Sequence, residues 1–101
     1  MKYNKLVRDK IPQIIRSKKE MPIIHVADNN EYKKKLNEKL LEEVNEFLKE
    51  ESKEEFVDII EVINAIGNFN KFNKNEIKNI RMKKLQERGV FEKRIILEEV
   101  K

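Results

Sequence analysis

Residues 36–58 read LNEKLLEEVNEFLKEESKEEFVD, and the fold turns on how that stretch divides. Leu36, Leu40, Val44, Phe47 and Leu48 recur at three- and four-residue spacing, which places them on one face of an α-helix. Ser52 followed by Glu55 then starts a second helix. A serine oxygen at that position accepts the amide N–H three residues on, and the glutamate completes a capping box. Two helices separated by so few residues turn back on each other, so the stretch predicts an antiparallel hairpin.

Working outward, Asp28 and Glu31 have the same capping spacing, which starts the first long helix near Asn30 and carries it to Glu50. The second runs from Lys53 to about Asn68. Asn73 and Glu76 give a third start, for a helix over Lys74 to Arg88, and Gly89 stands where a helix end favours a left-handed residue. Pro12 suits the opening of a short helix to about Lys19. Met21 to Ala27, rich in β-branched Ile23, Ile24 and Val26, reads as extended, as does the tail around Ile95-Ile96-Leu97. None of these helices is long enough to bury its apolar face alone. The expected fold is all-α: an antiparallel helical bundle completed by dimerisation, with short extended N- and C-terminal segments and one domain across 1–101.

Composition narrows the function classes. The chain has 101 residues, 42% of them charged, with no cysteine, two glycines and two prolines. The absence of cysteine excludes disulfides and thiolate metal sites. No apolar run approaches the roughly 18 residues of a membrane span, and the opening Met1-Lys2-Tyr3-Asn4-Lys5 is unlike a signal peptide, so a cytoplasmic location is expected. The net charge of +4 comes from cations interleaved with acids. The plain reading is a solvated surface, an anionic small molecule comes next, and nucleic acid is the weaker option because no basic stripe with aromatic residues appears.

The acids are where chemistry enters. On the first long helix, Glu43 borders the apolar arc beside Leu36, and Glu46 lies on the same side, further out; Glu42 points toward the polar face. On the second, Glu55 falls inside the apolar arc between Val62 and Ile66, and Asp58 at its edge near Val62 and Ala65. A carboxylate in an apolar arc is costly unless a metal, an ion pair or exposure at a frayed helix start compensates it. The hairpin would face one i,i+3 pair with the other, and oxygen ligands of this kind suit Mg²⁺ or Mn²⁺. The plain alternative is that these are ordinary surface glutamates, with Glu55 serving only as a cap. Spacing alone leaves both open.

Glu42-Glu43-Val44-Asn45-Glu46 followed by Glu55-Phe56-Val57-Asp58 resembles the EExxE…ExxD signature of the all-α nucleotide pyrophosphohydrolase superfamily. That superfamily includes MazG-like enzymes, phosphoribosyl-ATP pyrophosphohydrolases and dimeric dUTPases. The opening Tyr3-Asn4-Lys5-Leu6-Val7-Arg8-Asp9-Lys10-Ile11-Pro12 is similar to the start of a small single-domain branch. The end, Lys84 to Leu97 with Arg88-Gly89-Val90-Phe91 and Lys93-Arg94-Ile95, is similar to that branch's ending. The stretch between Glu46 and Glu55 is shorter than usual, and Val90 stands where a second glycine is usual.

The resemblance implies a homodimer or higher homo-oligomer and Mg²⁺-dependent hydrolysis of a nucleoside triphosphate, or related nucleotide, between the α and β phosphates. The products would be a monophosphate and pyrophosphate. It implies metal ligation by Glu43, Glu46, Glu55 and Asp58, with Glu42 or a metal-site carboxylate such as Glu43 as general base. Lys5, Arg8 and Lys10, with Lys84, Arg88 and Arg94, are the cations in the matching segments that would meet substrate phosphates. The competing reading is a non-catalytic helical dimer module that binds a nucleotide or protein partner. His25, Phe69 and Phe72 read as packing or surface residues.

Overall fold

The computed structural model describes residues 3–101. Among them the regular structure is entirely helical: α1 (Ile11–Ser17), α2 (Asn29–Lys49), α3 (Lys53–Phe69) and α4 (Lys74–Arg88). No helix among the described residues is long and apolar enough to cross a membrane. The chain divides into two compact units, Met1–Asn70 and Lys71–Lys101.

The three capping signals set the helix starts. The Asp28, Ser52 and Asn73 side chains accept the backbone N–H of Glu31, Glu55 and Glu76 respectively. Each satisfies one of the amide groups that a helix start leaves without an internal partner. The reciprocal half of the box is diverted at α2, where the Glu31 carboxylate meets His25 Nε2 at 2.9 Å instead. α1 has Pro12 in its first turn and no side-chain cap.

In the first unit α2 and α3 pack against each other. Their contacts run in opposite order along the chain: Tyr32 meets Phe69 edge-on at 5.4 Å, and Phe47 meets Phe56 at 6.2 Å. Residues 50–52 make the connection. Leu36, only 1% exposed, and Val62, 9%, form the centre of the interface. The apolar arc expected on α2 is narrower in the structure. Leu40, Val44 and Phe47 are partly covered, whereas Leu41 and Leu48 are exposed. A single partner helix covers less than the full width of an amphipathic face.

Two segments expected to be extended form no strand. Over 21–27 Ile23 and Val26 are almost fully exposed, and around Ile95, Ile96 and Leu97 the chain is equally open. β-branched composition favours an extended backbone, but a strand needs a neighbour for its N–H and C=O groups, and none is present among the described residues.

In the second unit α4 ends at Gly89, whose φ of 81° is a conformation that glycine adopts without a Cβ penalty. Its N–H donates to the Leu85 carbonyl, closing the last turn.

Candidate metal centre

The tight link between α2 and α3 places the last turns of one against the first turn of the other. Glu43 comes from the α2 face that holds Leu36, seven residues earlier and two helical turns away. Glu55 and Asp58 come from the α3 face that holds Val62. One carboxylate oxygen from each of the three lies within 4.8 Å of the others.

Glu43 is the only buried charged residue among those described, at 8% exposure. Its nearest cation is Lys39, one turn earlier, with Nζ 3.4 Å from Glu43 Oε1. Lys39 also stands 3.7 Å from Glu42 Oε2, and its own side chain is only 19% exposed. Lys39 is the residue that sequence reasoning missed. The signal was available: Lys39 lies three residues after Leu36 and four before Glu43, which puts it on the same helix face.

Glu55 has a different environment. Its Oε2 is enclosed and has no hydrogen-bond partner. Its pKa is raised, first by the Glu43 carboxyl, with which the protonated form would share its hydrogen, then by burial, then by the charges of Glu43, Asp58 and Glu46. An enclosed carboxylate oxygen with no donor beside two more carboxylates is an arrangement that a hard cation completes.

Glu46 stands apart from this trio. Its side chain is half exposed and lies 3.9 Å from Lys49 Nζ. Three of the four acids expected to converge therefore do so, and the fourth remains near enough to act on Glu55 through its charge. On the wheel Glu46 is further from the Leu36 stripe than Glu43, and the rotation of α2 against α3 leaves it outside the trio.

Glu42 faces the N-terminal segment. Lys5 Nζ donates to Glu42 Oε1 at 3.0 Å. That bond, aided by Lys39, lowers the Glu42 pKa, and the same bond raises that of Lys5. Arg8 Nη2 donates to Asp58 Oδ1 at 2.8 Å. Lys10 is exposed at the N-cap of α1. No protein-family model, curated protein or solved structure matches the chain. The site therefore has to be read from its own groups. Lys84, Arg88 and Arg94 belong to the second unit; Arg94 adopts a φ of 58° and donates its N–H to the Phe91 carbonyl.

His25 is exposed and paired with Glu31, and Phe69 packs on Tyr32, so both take the packing or surface role expected of them. Phe72 is exposed. Beside Asp58 a shallow surface depression is lined by Lys53, Glu54, Val57 and Asp58, which leaves the α3 side of the trio open to solvent.

Proposed function

We propose that the chain is a Mg²⁺-dependent nucleotide pyrophosphohydrolase that cleaves a nucleoside triphosphate, or a related nucleotide, between its α and β phosphates. The observation that carries the reading is the convergence of Glu43, Glu55 and Asp58 around the unpartnered Glu55 oxygen. The resemblance of 3–12, 42–58 and 84–97 to the pyrophosphohydrolase motifs gives that convergence a chemistry.

Glu43, Glu55 and Asp58 would hold the cation, with Glu46 completing its surroundings. Bound Mg²⁺ would supply charge neutralisation for the phosphates and acidify a water. The chain's own residues do the rest. Lys39 offsets the buried Glu43 charge from one turn earlier on α2. Arg8 and Lys5, at the rim of the trio, present the donors that polyphosphate oxygens need. Glu42 is held by two cations and is the weaker acceptor for a proton. That favours Glu43 over Glu42 as the general base.

The apolar surface supports a homodimer or higher homo-oligomer. Val57, Ile60 and Ile63 form a second apolar face on α3, turned away from Val62, and each is 45% to 55% exposed. Leu41 and Leu48 on α2 are more exposed still. A chain of this size with so few buried side chains gains stability by covering such a face with a second copy. Light scattering on the purified protein measures the mass directly.

The decisive assay is a panel of nucleoside triphosphates with Mg²⁺ or Mn²⁺ and direct detection of pyrophosphate. Release with at least one nucleotide, abolished by chelation, is the expected result. Tight nucleotide binding without turnover across the panel would instead support the non-catalytic helical module.

A further inference from the structure

The N-terminal segment is fastened over the acidic trio at three points. Lys35 Nζ donates to the Asn4 backbone carbonyl at 2.7 Å, Lys5 pairs with Glu42 at 3.0 Å, and Arg8 pairs with Asp58 at 2.8 Å. Two of these fasteners use carboxylates at the site, and one of those, Asp58, is in the converging trio. Arg8 reaches it from fifty residues away in sequence.

The pair is exchangeable. The Arg8 side chain is 56% exposed and that of Asp58 37%, so water competes for both groups. A divalent cation bound among Glu43, Glu55 and Asp58 would draw on the same Asp58 charge and repel the guanidinium beside it. Three converging carboxylates favour a small hard dication over a delocalised monocation. Arg8 would then leave Asp58 while Asn4 and Lys5 keep the segment close by.

We propose that Arg8 is an internal counter-ion for the acidic trio, and that its pairing with Asp58 and divalent-cation binding at Glu43, Glu55 and Asp58 oppose each other. The N-terminal segment is thereby a sensor of metal occupancy. When the cation enters, the segment loosens and the guanidinium fork is released for an anionic ligand. The inference rests on the metal reading proposed above. Coupling of this kind is reciprocal: the factor by which Arg8 weakens the cation is the factor by which the cation weakens the docked segment.

Two measurements on the full chain test it. Calorimetric titration with Mg²⁺ alone compares the wild type with Arg8→Gln and Arg8→Lys. Arg8→Gln should bind Mg²⁺ several-fold more tightly, on the order of the fivefold lower limit typical of such coupling. Arg8→Lys, which keeps the charge, should stay near the wild type. Amide exchange at Ile11, whose N–H donates to the Arg8 carbonyl at 3.1 Å, should quicken in the wild type on adding Mg²⁺. If the wild type binds Mg²⁺ and Arg8→Gln binds it equally or less tightly, the counter-ion inference is overturned and the metal reading stands. Unchanged exchange at Ile11 at saturating Mg²⁺ would likewise overturn it alone. If neither wild type nor variants take up Mg²⁺, the metal reading falls and this inference with it. Unaltered helical circular dichroism shows that the variants are folded.

Discussion

Glu55 faces Glu43 across the α2–α3 hairpin with one carboxylate oxygen enclosed and without a donor. The closeness of the two carboxyl groups favours a proton held between them, and this raises the Glu55 pKa. In the metal-free protein this is a local conflict between folding and charge. Folding brings together groups that would separate if the chain were open.

The consequence is a pH dependence of stability with a definite sign. Folding raises the Glu55 pKa above its ordinary 4.5. Between 4.5 and the raised value the folded state holds a proton that the unfolded chain has released, so stability falls as pH rises through that window. Glu55→Gln cannot ionise and should remove this fall. Urea denaturation of the metal-free protein at a series of pH values, wild type against Glu55→Gln, measures it. The variant should have the higher midpoint at neutral pH and the flatter profile. An identical slope in both would show that Glu55 is not the group responsible.

The same conflict predicts how a cation acts. Because metal ligands must be deprotonated, Mg²⁺ affinity should fall as pH drops through the raised Glu55 pKa. Mg²⁺ should also raise the thermal midpoint, by mass action on the folded state: a concentration one hundredfold above Kd adds about 2.7 kcal/mol. Thermal melts at neutral and mildly acidic pH, with Mg²⁺ or with chelator, measure both effects. An unchanged midpoint at millimolar Mg²⁺ and neutral pH would count against a metal at this trio.

Most of the helical framework was legible because each boundary carried local chemistry. Asp28, Ser52 and Asn73 announce helix starts by their own hydrogen bonds, and Gly89 announces an end by its backbone. These signals need no knowledge of what packs where. Glu55 was legible for a related reason, since a charge among Val62 and Ile66 stands out on a wheel. Glu46 and Lys39 were harder. Whether Glu46 reaches the trio depends on how far α2 rotates against α3, which periodicity does not fix. Lys39 looked like another surface lysine until the burial of Glu43 gave it a charge to offset. The segments expected to be extended do lie outside the helices, but β-branched composition says what a backbone favours, not whether a partner strand exists.

Catalysis should separate the trio from its neighbours. Glu43→Ala and Asp58→Ala each remove one of the three converging carboxylates. Loss of a proposed direct ligand should exceed the roughly 10–100-fold that groups supporting a metal ligand typically cost. Glu42→Gln should cost less, because Glu42 is held by Lys5 and Lys39 and lies outside the trio. Initial rates of pyrophosphate release on the best nucleotide from the panel give the order. A loss with Glu42→Gln equal to that with Glu43→Ala would return Glu42 to the role of general base. Full activity in both alanine variants would remove the trio from the mechanism.

Stability should depend most on the single fully covered apolar side chain. Leu36 is 1% exposed and lies against α3, so Leu36→Ala leaves a void where α2 and α3 meet. Truncations of this kind cost about 2–5 kcal/mol. The loss bears on the site as well, because Leu36 and Glu43 share one face of α2. Ser52→Ala is the useful contrast. It removes the cap that fixes the start of α3 at Glu55, for about 1 kcal/mol. It leaves Leu36 and Val62 in contact with their surroundings, yet it frees the first turn that aims Glu55. Ser52→Ala should therefore lose more Mg²⁺ affinity per unit of lost stability than Leu36→Ala, as measured by chemical denaturation and Mg²⁺ titration on both variants. The reverse order would mean that the site is positioned by the helix interface rather than by the cap.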